Sequence, residues 1–457
     1  MTAATANDVA RLFGRACFGA TKTDLDLWVG KEYADVVNAL FPPAGLPVPG
    51  ALVDEPRRVQ LETATSDLLA GQRWWLERMR TTPFPLLERM TWFWHTHFAT
   101  GYAGNPNVGD LMKQNQTIRA NALGSFRTLL HKLTVDGAML YYLSGYQNRR
   151  NAVNENYARE LFELFTAGVI PQRFTETDIR QAAKALTGWV VKADRTVAFD
   201  TNRHDRTVKT ICGTTIGGYP ANDAREATEY QEVCDIALGL DTTAHFVAYK
   251  MVCSFAYIPE TTDLFAEPDE LVDAVAAALR PAWDITAAMK VLLMHPRFRS
   301  GTPALVRQPV EEAVHLAKVL TVNMDPVEGI QNTGASAHNQ PIFALRRMGQ
   351  TPFQPPNVGG WPEGKAWLTS TTTIGRYSLG QYTINAYNTQ GRVNTNPLPA
   401  STAALDVWRA YVGLGSLGGV TQQQVQSYLS NPGTSDERTK QNGILFLLAA
   451  SPDWQVM

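Results

Sequence analysis

Apolar residues recur at helical spacing in segment after segment of this chain, and almost nothing alternates at the period of a strand. The pattern covers Thr63–Arg80, Pro85–His97, Asn115–Leu133, Asn154–Gly168, Thr175–Trp189, Thr242–Ile258, Glu267–Leu279, Ile285–Met294 and Pro309–Leu320. A helix with one apolar stripe must bury it against another element, so this many stripes predict an all-α fold, a large multi-helix globular domain. At most a small β-hairpin is expected, around Thr207–Gly218, where Gly213, Gly217 and Gly218 supply turn residues. Thr175 with Asp178 three residues on has capping-box spacing, and Gly168 closes the preceding helix.

The chain has 457 residues, 44% hydrophobic and 18% charged, which is enough apolar material for a substantial core. No break in composition divides it, so residues 1–457 read as one helical domain, with lobes 1–168 and 169–457 as the alternative. Phe41–Pro56, Asn323–Gln340 and Thr383–Ser401 are rich in Pro, Gly, Asn, Ser and Thr and read as surface loops. Lys+Arg 41 against Asp+Glu 43 argues against a broad footprint for nucleic acid or an anionic membrane. No apolar run of about 18 residues occurs, and Met1–Arg15 has no apolar signal core, so a cytoplasmic protein without a membrane span is expected. Cys17, Cys212, Cys234 and Cys253 lie far apart, which excludes a zinc ribbon and predicts buried free thiols.

Candidate chemistry concentrates in four segments. At about 100° per residue, Asn154–Gly168 separates an apolar arc from an arc holding Asn156, Arg159, Glu160 and Glu163. A solvated face with an Arg159–Glu163 pair is the plainer reading; two carboxylates and a guanidinium aimed at one spot is the functional one. In Pro85–Phe98, His97 shares the inward face with Met90, Phe93 and Trp94, while His95 lies about 160° away, so the two rings cannot grip one ion on a regular helix. In Phe199–Gly213, His204 adjoins Asp205, with Arg203, Arg206 and Lys209 nearby, a set suited to an anion or a general base. In Phe353–Thr369, paired prolines and glycines stiffen a loop carrying Asn357, Trp361 and Trp367; the tryptophans offer a stacking wall or a structural plug. Glu312 and His315 make only half of a di-iron signature, and the Gly413–Gly418 string follows a helix-like segment rather than a strand.

Ordered blocks along the chain resemble the bacterial family called domain of unknown function 1800. They are Arg11–Thr21, Phe93–Phe98, Asn154–Glu160, Ala185–Trp189, His204-Asp205 with Lys209 and Gly213, Pro355–Val358, Gly360–Pro362 and Ala366-Trp367. The family has no settled activity. Its members are often exported and often occur beside proteins similar to the alkaline-phosphatase and sulfatase group, which implies such a protein as partner. Where many relatives carry His and Asp-Asn, this chain has Asn121 and Ser144-Gly145.

Motif residues on otherwise apolar helices favour a site over a solvated face. The expectation is an enzyme of hydrolase or lyase type doing acid–base or metal-assisted chemistry on a polar substrate, a glycan for example. His97, Glu160, His204 and Asp205 are the expected catalytic groups, and Asn156, Arg159, Lys209, Asn357 and Trp361 the substrate contacts. His97, Glu160 and His204 are the candidate ligands of a divalent metal ion. The alternatives are a non-catalytic helical scaffold for a hydrolase and an iron or haem redox enzyme.

Overall fold

Several helices in this protein start where a side chain replaces a missing backbone partner. Thr175 Oγ1 accepts the Asp178 N–H at 3.2 Å, and Asp178 Oδ2 accepts the Thr175 N–H at 2.8 Å. Thr5 with Asp8 and Thr21 with Asp24 repeat this box. Gly168, at φ +81°, ends the helical run before Thr175 as its position predicts. Thr175→Ala is expected to lower stability by about 1 kcal/mol, seen in urea denaturation as an earlier midpoint at constant slope.

The computed structural model describes residues 2–43, 55–63, 67–104, 107–169, 173–260, 269–300, 305–325, 340–390, 397–430 and 436–457. These are mainly helical, with two small antiparallel hairpins. β1 (Trp189–Val191) pairs with β2 (Val197–Phe199), and β3 (Val208–Ile211) pairs with β4 (Thr214–Gly217) in the register Val208↔Gly217 to Ile211↔Thr214. The second hairpin is the expected one. The first was not anticipated, because strands of three residues are too short to show a period.

The Pro85–His97 helix has Pro at its first turn and is buried on almost every side. Leu86, Met90, Phe93 and Trp94 join an apolar cluster drawn from Ala4 to Phe298; Trp92 joins a second, in which residues 61–112 meet residues 306–454. The first cluster runs across position 168, since Leu161 and Phe165 share it with Ile179 and Val247. Glu88, in the first turn of this helix, is buried and accepts from Trp75 Nε1 at 2.7 Å, Arg119 at 2.5 and 2.8 Å, and Arg78 at 3.2 Å. Burial alone would raise this carboxyl; the arginines outweigh it and hold it at about 2.

Three sequence expectations change. Asn115–Leu133 is not one helix but parts of two, Val108–Asn121 and Phe126–Thr134. The Gly124 carbonyl accepts from Ile285 N at 3.0 Å and Phe126 N donates to Trp283 O at 2.8 Å, which draws both groups out of helical bonding. The Thr175–Trp189 segment stops at Ala185, because Gly188 at φ +98° turns the chain into β1. The Thr383–Ser401 stretch is not all loop, for the helix Ser370–Gln390 continues into it. Thr383 returns its hydroxyl to Leu379 O at 2.8 Å, and Ile384 and Tyr387 are buried, so its polar composition hides a packed face. Residues 44–54, 326–339 and 391–396 of the expected loops lie outside the described residues.

Among the described residues no helix is long and apolar enough to cross a membrane. All four cysteines are free thiols, and three are buried. Burial pushes Cys17, Cys234 and Cys253 up to about 12, which makes them poor nucleophiles.

Candidate functional site

His97 caps a helix end. Past Glu160 the Asn156–Glu160 helix widens into a π-helical turn over Leu161–Thr166. The wider turn sends Ala167 N back to Phe162 O at 3.0 Å, and His97 Nε2 meets the Phe165 carbonyl at 3.0 Å. Burial, aided by Lys250, lowers the ring to about 3, so it is neutral and donates from Nε2. Its Nδ1 has no hydrogen-bond partner among the described residues. His95 is buried too, against Trp75, Phe353 and Trp361, and its Nε2 accepts Phe353 N at 3.2 Å. The two rings face opposite ways, as the helical angle requires, but both directions lead into core.

Arg159 is one-third exposed and forms a surface network, holding Glu176 through two bonds of 2.8 and 2.7 Å and Glu163 at 3.2 Å. Glu160 stands half-buried beside it, its carboxyl raised by burial and then by Glu163, against Arg159. Glu160→Gln is therefore expected to leave thermal stability level or slightly higher; a loss above about 1 kcal/mol in denaturant titration would show an unrecognised partner. Asn156 is exposed.

His204 and Lys209 belong to a closed buried cluster. Glu229, fully buried at the start of the Glu229–Gly239 helix, accepts from His204 Nε2 at 2.8 Å and from Lys209 Nζ at 2.8 and 3.1 Å. Lys209 also donates to Asp205 O, and His204 Nδ1 faces Thr187 O at 2.9 Å. Both ring nitrogens are thus engaged within the cluster. Asp205 turns its carboxylate onto Thr207 N and Oγ1 at 2.9 and 2.5 Å; burial opposes ionisation there, but these bonds keep the carboxyl below the usual range. The cluster fastens β3 to the helix. Glu229 carries no sequence signal beyond a helix-start acid.

The proposed metal set is not gathered. Among the described residues no group of three or more His, Cys, Asp or Glu side chains is placed to hold an ion, and His97 and His204 are each committed to separate partners. The stacking wall at Trp361 is also corrected: its ring is 4% exposed, lies 5.1 Å from Trp92, and gives its N–H to Gly349 O at 3.0 Å. Asn357 is exposed and closes a turn onto Gly359 N at 2.8 Å. Glu312 and His315 are likewise parted, Glu312 binding Arg376 at 2.5 Å and His315 reaching Ala20 O at 2.7 Å.

Open polar space lies elsewhere. A cleft of about 690 Å³ opens between the Val108–Asn121 helix, the start of the Gly137–Tyr142 helix and the β1–β2 turn. Asp136 caps the Gly137 helix from within it, its Oδ1 accepting Met139 N at 3.1 Å and Gln114 Nε2 at 2.8 Å. Burial pushes this carboxyl up to about 7, against the two bonds that favour its ionised form. Lys113, Lys132 and Arg195 line the same cleft; Lys132 donates to Asn121 Oδ1 at 3.2 Å, and Arg195 pairs with Asp110. Asn121, one of the departures from the resemblance, is therefore a cleft residue. Asp136 was missed by sequence reasoning: Asp before Gly-Ala-Met shows an N-cap, but its burial comes from elements far along the chain.

A second cleft, of about 710 Å³, is bounded by Tyr146–Asn156 and Arg203, and it includes Asn156. The fold and these clefts define a large all-α protein with polar clefts opened beside its helix starts. A family model described as a protein of unknown function, DUF1800, matches residues 11–456, and the chain belongs to that family. No curated protein matches it. No solved structure matches it either.

Proposed function

We propose that the protein is an enzyme of hydrolase or lyase type that performs acid–base chemistry on a hydroxyl-rich, polar substrate in the Asp136 cleft. The observation that carries this reading is the place of the Asp136 carboxyl on the wall of an open cleft; burial pushes it up to about 7, where one side chain can give or take a proton at neutral pH. Lys113 and Lys132 supply positive charge for an anionic group or a developing oxyanion, and Asn121, Thr117 and Gln116 supply amides and hydroxyls for sugar-like hydroxyls. His97, held neutral in the core on the Phe165 carbonyl, supports the π-helical turn and is not the base of this cleft. Buried, unpaired thiols accord with a cytoplasmic setting, which fractionation of the native host checks.

The test is turnover against a panel of neutral and acidic oligosaccharides, with product formation followed across pH 5–9. Asp136→Asn is expected to abolish a rate that wild type shows with an inflection near 7; a variant that keeps the wild-type rate would remove Asp136 from the chemistry. A scaffold role has one observation in its favour: Ile374 and Tyr377, one turn apart on the Ser370–Gln390 helix, are 63% and 46% exposed. In that reading the row receives a protein similar to the alkaline-phosphatase and sulfatase group. Ile374→Asp would then abolish co-purification of that protein while leaving the circular dichroism spectrum unchanged.

A further inference from the structure

The cleft bounded by Tyr146–Asn156 shares no lining residue with the Asp136 cleft, and its walls are tied by the backbone. Arg150 N donates to Arg203 O at 2.8 Å, Ala152 N to Arg149 O at 2.8 Å, and Asn154 N to Asn148 Oδ1 at 2.9 Å. Such a frame fixes the backbone of the cleft wall before any ligand arrives, which reduces the entropy lost on binding. Tyr146 stacks on Tyr141 with centroids 4.5 Å apart and planes at 24°, and the Arg195 guanidinium lies 4.0 Å from the Tyr141 ring. Two groups cannot share one ring face, so Arg195, Tyr141 and Tyr146 form a stack that begins in the Asp136 cleft and ends in this one. The outer face of Tyr146 meets no other ring among the described residues.

The charges are unbalanced in one place. Glu155 is engaged by Arg159 at 3.5 Å and Arg180 at 3.2 Å, and Asp200 is engaged by Arg203 at 3.3 Å. Arg149 has no ion-pair partner among the described residues, and it lines the cleft with Gln147, Asn154 and Asn156. A flat aromatic face suits the C–H face of a pyranose, amides suit its hydroxyls, and a guanidinium suits a carboxylate through two parallel bonds. A nucleic-acid strand is the poorer fit, since a chain of formal net charge -2 offers no basic track for its phosphates.

We propose that this cleft is a subsite for an acidic sugar, a uronate residue of a glycan, seated on Tyr146 with its carboxylate on Arg149. The stack joining the two clefts lets one glycan chain reach Asp136 as well; that extension rests on the acid–base reading, whereas binding at Tyr146 does not.

Isothermal titration of the full chain with tetragalacturonate and with neutral maltotetraose at low salt tests this. The acidic oligomer is expected to bind about tenfold tighter than the neutral one, and Arg149→Gln to remove that preference, the size of one charge-assisted bond. Tyr146→Ala is expected to weaken both, with an unchanged circular dichroism spectrum as the control for folding. Titration reads binding without turnover, so a failure of the catalytic reading leaves this result standing. No binding of tetragalacturonate by wild type, an unchanged preference in Arg149→Gln, or tighter binding of oligodeoxythymidylate would each overturn the proposal.

Discussion

Glu229→Ala is expected to cost about 3–5 kcal/mol of folding stability, the usual result of removing one partner from a buried ionic cluster. The side chain is fully buried and is the shared acceptor of Lys209 and His204, which are also buried. Without it an ammonium remains in the interior with the Asp205 carbonyl as its only other acceptor among the described residues, and His204 Nε2 loses its partner. The loss exceeds what a cavity alone would produce, because the desolvation of Lys209 is no longer offset. Gly217 packs directly against this carboxylate, where a Cβ would stand 2.6 Å from Glu229 Oε1. Guanidinium denaturation of Glu229→Ala and Glu229→Gln measures the effect, with Gln expected to be the milder because it retains an acceptor oxygen. If Ala costs less than about 1 kcal/mol, the cluster is not what fastens β3, and His204 returns as a candidate for chemistry.

The same cluster shows why helices were easier to read than the site. Pro85–His97, Ile285–Met294 and Pro309–Leu320 appear with the bounds their periodicity predicts, because a helix is specified by neighbours within one turn. Asn115–Leu133 failed because its break is imposed by Trp283 and Ile285, more than 150 residues away in sequence, through bonds no local pattern records. His204 and Lys209 were singled out correctly as unusual residues, but their chemistry depends on Glu229, brought to them by the fold of β3–β4 and the following helix. A polar motif block draws attention to a residue; it does not say whether its role is catalysis or a buried ion pair. Trp361 makes the same point, since its ring serves the core beside Trp92. Asn121 and Asn156, in contrast, do reach the two clefts, although neither is grouped there with the histidines expected beside them.

Asp136→Asn is expected to make the protein more stable at pH 8 and no different at pH 4. In the unfolded chain this carboxyl titrates near 3.8, and in the fold burial pushes it up to about 7. Between those values the folded state keeps a proton that the unfolded state has released, so the contribution of Asp136 is fully present below about pH 4 and is lost as pH rises through 7. Asn cannot ionise and so escapes the loss, while its side-chain oxygen still accepts the Met139 N–H that caps the helix. The cleft admits water, which tempers the shift; a gain on the order of 1–3 kcal/mol at pH 8 follows. Glu363, which burial also raises to about 7, titrates in both proteins and cancels from the difference. Urea denaturation of wild type and variant at pH 4 and pH 8 therefore isolates one group. A variant that is more stable and yet inert toward the substrate panel is the signature of a charge kept for chemistry at the expense of the fold. Stability curves that stay parallel from pH 4 to pH 8 would mean that Asp136 is ionised throughout, a plain helix cap, and the acid–base reading of the cleft would fall with it.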